Sequence, residues 1–134
     1  MIDSIVLDSS VWIEIERKNP YVLGVVTPLL DQNKICLIDV IIAEVLRGVK
    51  SSKDYTQLEL AFLQFTVLSA TWIETARLAF LVRQRGYTLP LIDIYIAHCV
   101  IHHKKKLITL DRDFQFIQKI NNFQLEVISS KQFH

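Results

Sequence analysis

The eight residues LITLDRDF, at positions 107–114, pass from an apolar run rich in β-formers to two aspartates, Asp111 and Asp113. A short, continuous apolar run is typical of a strand that is buried on both faces of a sheet. Residues 5–7 (IVL), directly before Asp8, show the same pattern, and residues 35–38 (ICLI) form a third run. The sequence therefore predicts buried strands at residues 5–7, 35–38 and 107–110, each followed directly by an acidic residue.

Helical patterns separate these strands along the chain. Helices are predicted at residues 39–49, 53–65, 72–85, 90–101 and 114–120, and further strands at residues 66–68 and 125–128. Asp39 is expected to be an N-cap, and Pro28 either opens a short helix or kinks a longer one that begins near Pro20. Alternating strands and helices favour parallel pairing, so the predicted fold is a three-layer α/β/α domain with a central, mainly parallel sheet.

Length and composition limit the class of protein. The chain has 134 residues, which predicts one domain over residues 1–134. Hydrophobic residues make up 51% and charged residues 22%, and the net charge of +1 neither demands nor excludes a nucleic-acid partner. Cys36 and Cys99 form no CxxC motif, and no stretch has the roughly 18 apolar residues of a membrane span. We therefore expect a cytoplasmic protein without a membrane partner.

Several acids are predicted to meet at one edge of the sheet. In parallel α/β sheets, ligands bind beyond the carboxyl ends of the strands. Asp8 and Asp111 each follow a predicted strand at that end. Glu44 and Asp93 lie early in predicted helices, and helices that follow strands begin at the same edge. Four acids from distant parts of the chain should therefore converge, with Asp113 close enough to be a fifth.

Converging carboxylates predict a metal site. They repel one another, and burying several together is costly unless a cation neutralises them. Ligands that are oxygen only favour Mg²⁺ or Mn²⁺ over Zn²⁺. Such an ion can activate water and stabilise an in-line displacement at phosphorus. The predicted chemistry is that of a metal-dependent nuclease or phosphodiesterase.

Two motifs in the first half of the chain resemble those of a known family. VLDSSVWIE, residues 6–14, has Asp8 where that family has its first acid and Ser10 where it has a small hydroxyl or amide residue. AEVLRG, residues 43–48, is similar to the family pattern AELxxG and makes Glu44 the second acid. The family is that of PIN-domain nucleases, specifically the VapC-type toxins of bacterial and archaeal toxin–antitoxin pairs.

The second half of the chain continues the resemblance in the same order. GYTLPLIDIYIA, residues 86–97, resembles the segment that carries the family's third acid, here Asp93. TLDRDF resembles the family's ending T-x-D-x-D-F, in which Asp111, with Asp113 beside it, would complete the acidic pocket and Thr109 would line it. Four motifs in the right order cover nearly the whole chain.

The resemblance implies a function as well as a fold. It implies a Mg²⁺- or Mn²⁺-dependent ribonuclease that acts on structured RNA, forms a homodimer and is inhibited by a cognate VapB-type antitoxin across the acidic pocket. It implies a catalytic set of Asp8, Glu44, Asp93 and Asp111, metal ligands Asp8, Asp93, Asp111 and Asp113, and supporting hydroxyls on Ser10 and Thr109. Whether Asp111 or Asp113 is the stronger ligand stays open, as does a choice between one and two metal ions.

Two other functions remain as alternatives. A phosphatase of the aspartyl-phosphate type would use the same edge of the sheet, but it requires a D-x-D pair where this chain has DSS at residues 8–10. A non-catalytic PIN-like module that binds RNA or protein is expected to lose some of the acids, and this chain has them all.

A separate metal cluster is not predicted from the histidines. His98 and His102 have the i,i+4 spacing of a metal-binding pair on a helix, but no further soft ligand lies nearby in the sequence. Glu74 is interpreted as an ordinary surface charge.

Overall fold

A computed structural model describes residues 4–129, which contain five strands and seven helices. The strands are β1 Ile5–Leu7, β2 Ile35–Ile38, β3 Val67–Leu68, β4 Lys106–Thr109 and β5 Gln124–Val127. The helices are α1 Ser9–Glu16, α2 Pro20–Asp31, α3 Asp39–Arg47, α4 Ser52–Phe62, α5 Trp72–Gln84, α6 Leu91–His103 and α7 Phe114–Ile120. Residues 1–3 and 130–134, which the single-domain prediction includes, lie outside the described residues.

The five strands form one parallel sheet in the order β3-β2-β1-β4-β5. Strand β1 is at the centre, where Val6 lies opposite Cys36 on one side and Leu107 on the other. The chain winds outward from β1 in one direction to β3 and then crosses back to β4. The point where the winding direction changes therefore lies between the ends of β1 and β4, the usual location of a site in such sheets.

The burial of the strands explains their apolar sequences. All four residues of β2 are buried, as are most of β1 and β4, because helices cover both faces of the sheet. Strand β5 alternates exposed and half-buried residues, as an edge strand does. Helices α1–α4 pack against one another and α5–α7 form a second group. The predicted three-layer α/β/α architecture with a parallel sheet is confirmed.

Three helices begin at side-chain caps that the sequence supplies. The Oδ1 atom of Asn19 accepts hydrogen bonds from the amides of Tyr21 and Val22, with Pro20 at the start of α2. The hydroxyls of Ser51 and Thr71 accept amide hydrogen bonds at the starts of α4 and α5. Each such cap typically stabilises a helix by about 1 kcal/mol.

The structure differs from the sequence expectations in helix α1, which begins directly after Asp8 in a stretch for which no helix was predicted. This difference arises because the apolar residues of α1 are β-branched or aromatic, and their tertiary packing outweighs a weak intrinsic preference for helix. Helix α2 agrees with one of the two predicted alternatives, since it is the longer helix that begins at Pro20 and contains Pro28.

The expected N-cap role of Asp39 is wrong. Helix α3 begins at Asp39 itself, with Ile38 at the N-cap position. The Oδ1 atom of Asp39 accepts hydrogen bonds from the amide of Val40 at 2.9 Å and from the hydroxyl of Tyr95, also at 2.9 Å. The side chain therefore binds a tertiary partner instead of the amides one turn further on.

Between residues 4 and 129, no helix combines the length and the apolar character that crossing a bilayer requires.

Candidate active site

Asp8 is the buried acid at the end of the central strand. It is 4% exposed, and its Oδ2 atom accepts hydrogen bonds from Ser10 Oγ and Thr109 Oγ1, both at 2.9 Å. Burial raises the pKa of Asp8, whereas hydrogen bonds from Ser10, Thr109 and the backbone of Ser9 oppose that rise. The two hydroxyls thus hold one carboxylate oxygen in a fixed place.

The same two hydroxyls connect Asp8 to the turn after β4. Ser10 Oγ accepts the amide N–H of Leu110 at 3.2 Å, and Thr109 Oγ1 accepts that of Asp111 at 3.0 Å. Each hydroxyl therefore uses its proton on Asp8 and a lone pair on the backbone of the turn. This arrangement fixes the carboxyl end of β1 against that of β4.

Asp111 and Asp113 lie in this turn with different surroundings. Asp111 is half-buried, and its Oδ1 atom accepts the amide N–H of Asp113 at 2.9 Å. Asp113 is exposed and occupies the N-cap position of α7, although its side chain makes no capping hydrogen bond within the described residues. Asp111 is consequently the more firmly positioned of the two acids.

Glu44 enters the site from the second turn of α3. Its Oε1 atom is buried, and among residues 4–129 it has no hydrogen-bond partner. Burial and then the charge of Asp8 raise the pKa of Glu44, while a hydrogen bond from Ser9 and the charge of Arg47 lower it. A buried carboxylate oxygen without a partner is costly, so this atom is suited to a ligand.

Asp93 shows that the acids come together. It lies in the first turn of α6 and is half-buried. Its pKa is raised to about 7, first by burial and then by the negative charges of Asp8, Asp111, Glu44 and Asp113. These four carboxylates are therefore close enough to Asp93 to disfavour its ionisation.

These five acids together have the features expected of a site for a hard cation. We call the cluster the acidic pocket; it consists of Asp8, Glu44, Asp93, Asp111 and Asp113. Its donors are carboxylate oxygens, one of them buried without a partner. Burial and then mutual repulsion raise the pKa of Asp93, and a divalent positive charge would relieve that repulsion. The residues present therefore fit Mg²⁺ or Mn²⁺.

Sequence reasoning missed two residues with tertiary hydrogen bonds, one in the acidic pocket and one outside it. Ser9, which hydrogen-bonds Glu44, has no recognisable signal because residues 9 and 44 become neighbours only in the fold. Tyr95 was also missed: its hydroxyl bonds Asp39 and accepts the amide N–H of Ala70 at 3.0 Å. A tyrosine within an otherwise apolar helix does carry a signal, since a buried hydroxyl usually finds a partner.

Comparison with known protein families identifies the domain. Residues 5–120 match the PIN domain family. The chain belongs to the PIN domain family. PIN domains are in general nucleases, and they generally use a divalent metal. No curated protein sequence matches this PIN domain.

Solved structures show the same fold at low sequence identity. The chain is similar to one in the crystal structure of VapBC2 from Rickettsia felis bound to promoter DNA, with 19% identity, a TM-score of 0.76 and coverage of 96% of this chain and 100% of that one. For VapBC-1 from nontypeable Haemophilus influenzae, the identity is 19%, the TM-score 0.71 and the coverage 95% and 98%. For FitAcB from Neisseria gonorrhoeae, the identity is 19%, the TM-score 0.64 and the coverage 90% of this chain and 95% of that one. The PIN fold thus extends over nearly the whole chain.

Proposed function

We propose that this PIN domain is a Mg²⁺- or Mn²⁺-dependent endoribonuclease, the toxin of a VapBC-type toxin–antitoxin pair. The observation that carries the proposal is a group of acids at one edge of the sheet: Asp8 is buried there, and Oε1 of Glu44 is buried without a hydrogen-bond partner among residues 4–129. The pKa of Asp93 is consistent with this, because burial first and then the charges of Asp8, Asp111, Glu44 and Asp113 raise it. A fold alone would not require so many acids in one place, because each buried charge costs free energy. Their convergence is explained by a cation that they share.

The residues of the acidic pocket have distinct roles in this proposal. Asp8, Asp93, Asp111 and Asp113 would hold the ion, and Glu44 would complete the catalytic set. When bound, the divalent cation neutralises these carboxylates and stabilises the negative charge that develops on the phosphate.

The supporting hydroxyls act through Asp8. Ser10 and Thr109 keep its Oδ2 atom in place through their two hydrogen bonds, so the carboxylate need not reorganise when the cation and the RNA bind. Because both hydroxyls also accept amides of the β4–α7 turn, they fix Asp8 and Asp111 relative to each other.

An antitoxin is the proposed protein partner. The VapBC complexes to which the chain is similar in fold support this assignment. A pocket of five carboxylates attracts a cationic side chain, and an arginine can bind a carboxylate with two parallel hydrogen bonds. We expect the neighbouring gene to encode a small protein whose tail crosses Asp8, Glu44 and Asp93.

A homodimer is supported by apolar side chains on the helical surface. Leu60 and Leu63, in and just after α4, are 58% and 73% exposed, and Ile73 and Phe80 of α5 are 75% and 61% exposed. Contiguous exposed apolar surface marks protein interfaces, and these two helical segments supply four large apolar side chains from which such a surface could be built. Light scattering on Phe80→Glu tests this, since the charge should convert a dimer to a monomer without altering the core.

One experiment distinguishes the proposed nuclease from its alternatives. The purified chain is incubated with total RNA and with a generic phosphomonoester, each with Mg²⁺, Mn²⁺ or EDTA. Cleavage of RNA that stops in EDTA supports the nuclease, whereas release of phosphate alone would support the phosphatase. Metal-independent RNA binding without cleavage would support a non-catalytic module.

The antitoxin is tested separately by co-expression with the product of the neighbouring gene. That product should co-purify with the chain and suppress cleavage, and suppression should weaken as Mg²⁺ is raised, because the arginine and the ion compete for the same carboxylates. A neighbouring product that neither binds nor inhibits would reject the antitoxin and leave the nuclease assignment intact.

A further inference from the structure

A second group of ligating side chains lies away from the acidic pocket, where α5 packs against α6. Glu74 is in the first turn of α5, and His98 and His102 are one turn apart on α6. One potential ligand atom from each of the three lies within 4.8 Å of the other two. The i,i+4 spacing places both imidazoles on one face of α6, and the fold brings the carboxylate of Glu74 to that face.

The buried nitrogen of His98 gives an independent reason to expect a ligand. Its Nε2 atom is inaccessible to solvent, and no hydrogen-bond partner for it exists in the part of the chain that the structure describes. Glu74 Oε2 lies 3.8 Å away, which is too far for a hydrogen bond. A buried nitrogen without a hydrogen-bond partner costs folding free energy, and a cation bound to this nitrogen would remove that cost.

The separation between these two atoms suits a shared ion. Two ligands about 2.0 to 2.2 Å from a tetrahedral Zn²⁺ lie roughly 3.4 Å from each other. The observed 3.8 Å therefore requires a shift of only a few tenths of an ångström. The exposed side chain of His102 can rotate to complete the set, because it is on the solvent side of the helix.

The protonation states favour binding of a cation. Burial lowers the pKa of His98, so the imidazole is neutral and has a free lone pair near neutral pH. The hydroxyl of Thr71 donates a 2.8 Å hydrogen bond to Glu74 Oε1, which keeps the carboxylate ionised and orients it. Within residues 4–129, no lysine or arginine forms an ion pair with Glu74 that would compete.

We propose that Glu74, His98 and His102 form a second metal site, specific for a borderline transition-metal ion such as Zn²⁺, with water completing its coordination. Two imidazole nitrogens select such an ion over Mg²⁺, whereas the acidic pocket with its oxygen donors has the opposite preference. The ion would join the start of α5 to the second half of α6, the helix whose first turn carries Asp93. It would thereby stabilise the folded chain by an amount that grows with the logarithm of the free ion concentration above its dissociation constant.

The test uses Co²⁺ as a spectroscopic substitute for Zn²⁺. The chain is purified without a histidine tag and carries Asp8→Asn and Asp93→Asn, which weaken the acidic pocket. Titration with Co²⁺ should give visible absorption bands that saturate at one ion per chain, and one equivalent of Zn²⁺ should abolish them. Thermal unfolding in Zn²⁺ should occur at a higher temperature than in EDTA.

Matched variants identify the ligands. His102→Gln and Glu74→Gln should each weaken Co²⁺ binding at least about tenfold. His103→Gln is the control, since His103 lies next to the site on the same helix but has its Nε2 atom 2.8 Å from the carbonyl oxygen of Ser69. Because His102 is exposed, its replacement should not disturb folding.

Three results would overturn the proposal. The first is the absence of Co²⁺ bands at micromolar concentrations, and the second is equal binding by the parent chain, His102→Gln and Glu74→Gln. The third is a thiolate charge-transfer band, which would assign the ion to a cysteine. That result is not expected from Cys99, because burial raises the pKa of its thiol to about 12.

Discussion

The hydroxyl of Thr109 donates a 2.9 Å hydrogen bond to Oδ2 of Asp8, although 101 residues separate the two along the chain. The Oγ1 atom of Thr109 also accepts the amide N–H of Asp111 at 3.0 Å. One side chain, fully buried at the end of β4, therefore positions two acids that come from opposite ends of the sequence.

Thr109→Val should lower both nuclease activity and stability. Valine keeps the shape of threonine but removes one of the two hydrogen bonds to Oδ2 of Asp8 and leaves the amide of Asp111 without its partner, which costs about 1 to 3 kcal/mol of unfolding free energy. We expect RNA cleavage to fall about tenfold through poorer positioning of Asp8. Urea unfolding and RNA cleavage assays measure the two effects. Thr109→Ser, which retains the hydroxyl, should restore most of both, and equal loss in the two variants would contradict this role.

The metal-free protein should become less stable as the pH rises from about 4 to about 7. The pKa of Asp93 is raised to about 7 in the folded state, against about 3.9 in an unfolded chain, so only the folded state retains its proton in this window. Asp8 and Glu44 act in the same direction, because their pKa values are also raised. Thermal unfolding in EDTA from pH 4 to pH 8 measures the effect.

The Asp93→Asn variant isolates this contribution. Its melting temperature should depend less on pH than that of the parent chain, since the amide does not titrate. His98 has a lowered pKa and works in the opposite direction in both proteins, so the comparison removes it. Mg²⁺ should also make the melting temperature of the parent chain depend less on pH. If the parent and Asp93→Asn have parallel profiles, Asp93 is not the source of the pH dependence.

Asp8→Asn should abolish cleavage while it raises the stability of the metal-free protein. The amide removes a buried negative charge and one source of repulsion on Asp93, but it is a poor ligand for a hard cation. The loss of cleavage should be at least as large as the ~10- to 100-fold effects of changes next to metal ligands. RNA cleavage, calorimetric Mg²⁺ binding and melting in EDTA are measured together. The exposed Asp31→Asn serves as the control, and full activity of Asp8→Asn would reject the metal site.

Asp111→Asn should reduce activity more than Asp113→Asn. Asp111 is half-buried and fixed by the turn, whereas Asp113 is exposed. Asparagine retains the Oδ1 atom that accepts the amide of Asp113, so the turn should survive in both variants. Cleavage rates at several Mg²⁺ concentrations provide the comparison. The reverse order in two folded proteins would make Asp113 the stronger ligand.

Tyr95→Phe should destabilise the fold by about 1 to 3 kcal/mol, because it removes a buried hydroxyl that serves both Asp39 and Ala70. The ring itself stays, and with it the stacking on Trp72 at 4.6 Å. Urea unfolding measures the change, and Tyr55→Phe at an exposed position is the control. A loss no larger than that of the control would show that the hydroxyl contributes nothing.

The sequence was sufficient to predict the strands, because their short apolar runs reflect burial on both faces. The three central strands β1, β2 and β4 lie within one residue of their predicted positions. Helix α1 was not predicted, since SSVWIEIE has no side-chain cap and its apolar residues are β-branched or aromatic. Local sequence indicates which segments are buried, but it does not show which packing partner makes a weak helix stable.

The same limit applies to the candidate sites. Acids at strand ends could be assigned to one edge of the sheet, because parallel topology fixes where strand ends lie. The contact of Ser9 with Glu44, and that of Glu74 with the histidines of α6, depends on how two helices pack. The sequence alone therefore predicted that Glu74 was a surface charge, because its proximity to His98 and His102 depends on the packing of α5 against α6.

The pairing of β1 with β4 also affects when activity can arise during synthesis. The first strand leaves the ribosome early, but its neighbour and the Thr109 hydroxyl follow about a hundred residues later. Until then, a nascent chain lacks Asp111 and Asp113 and cannot hold Asp8 in place. If the domain is the proposed ribonuclease, this order of events would protect the translating ribosome and its message, because the acidic pocket is complete only after most of the chain has been made.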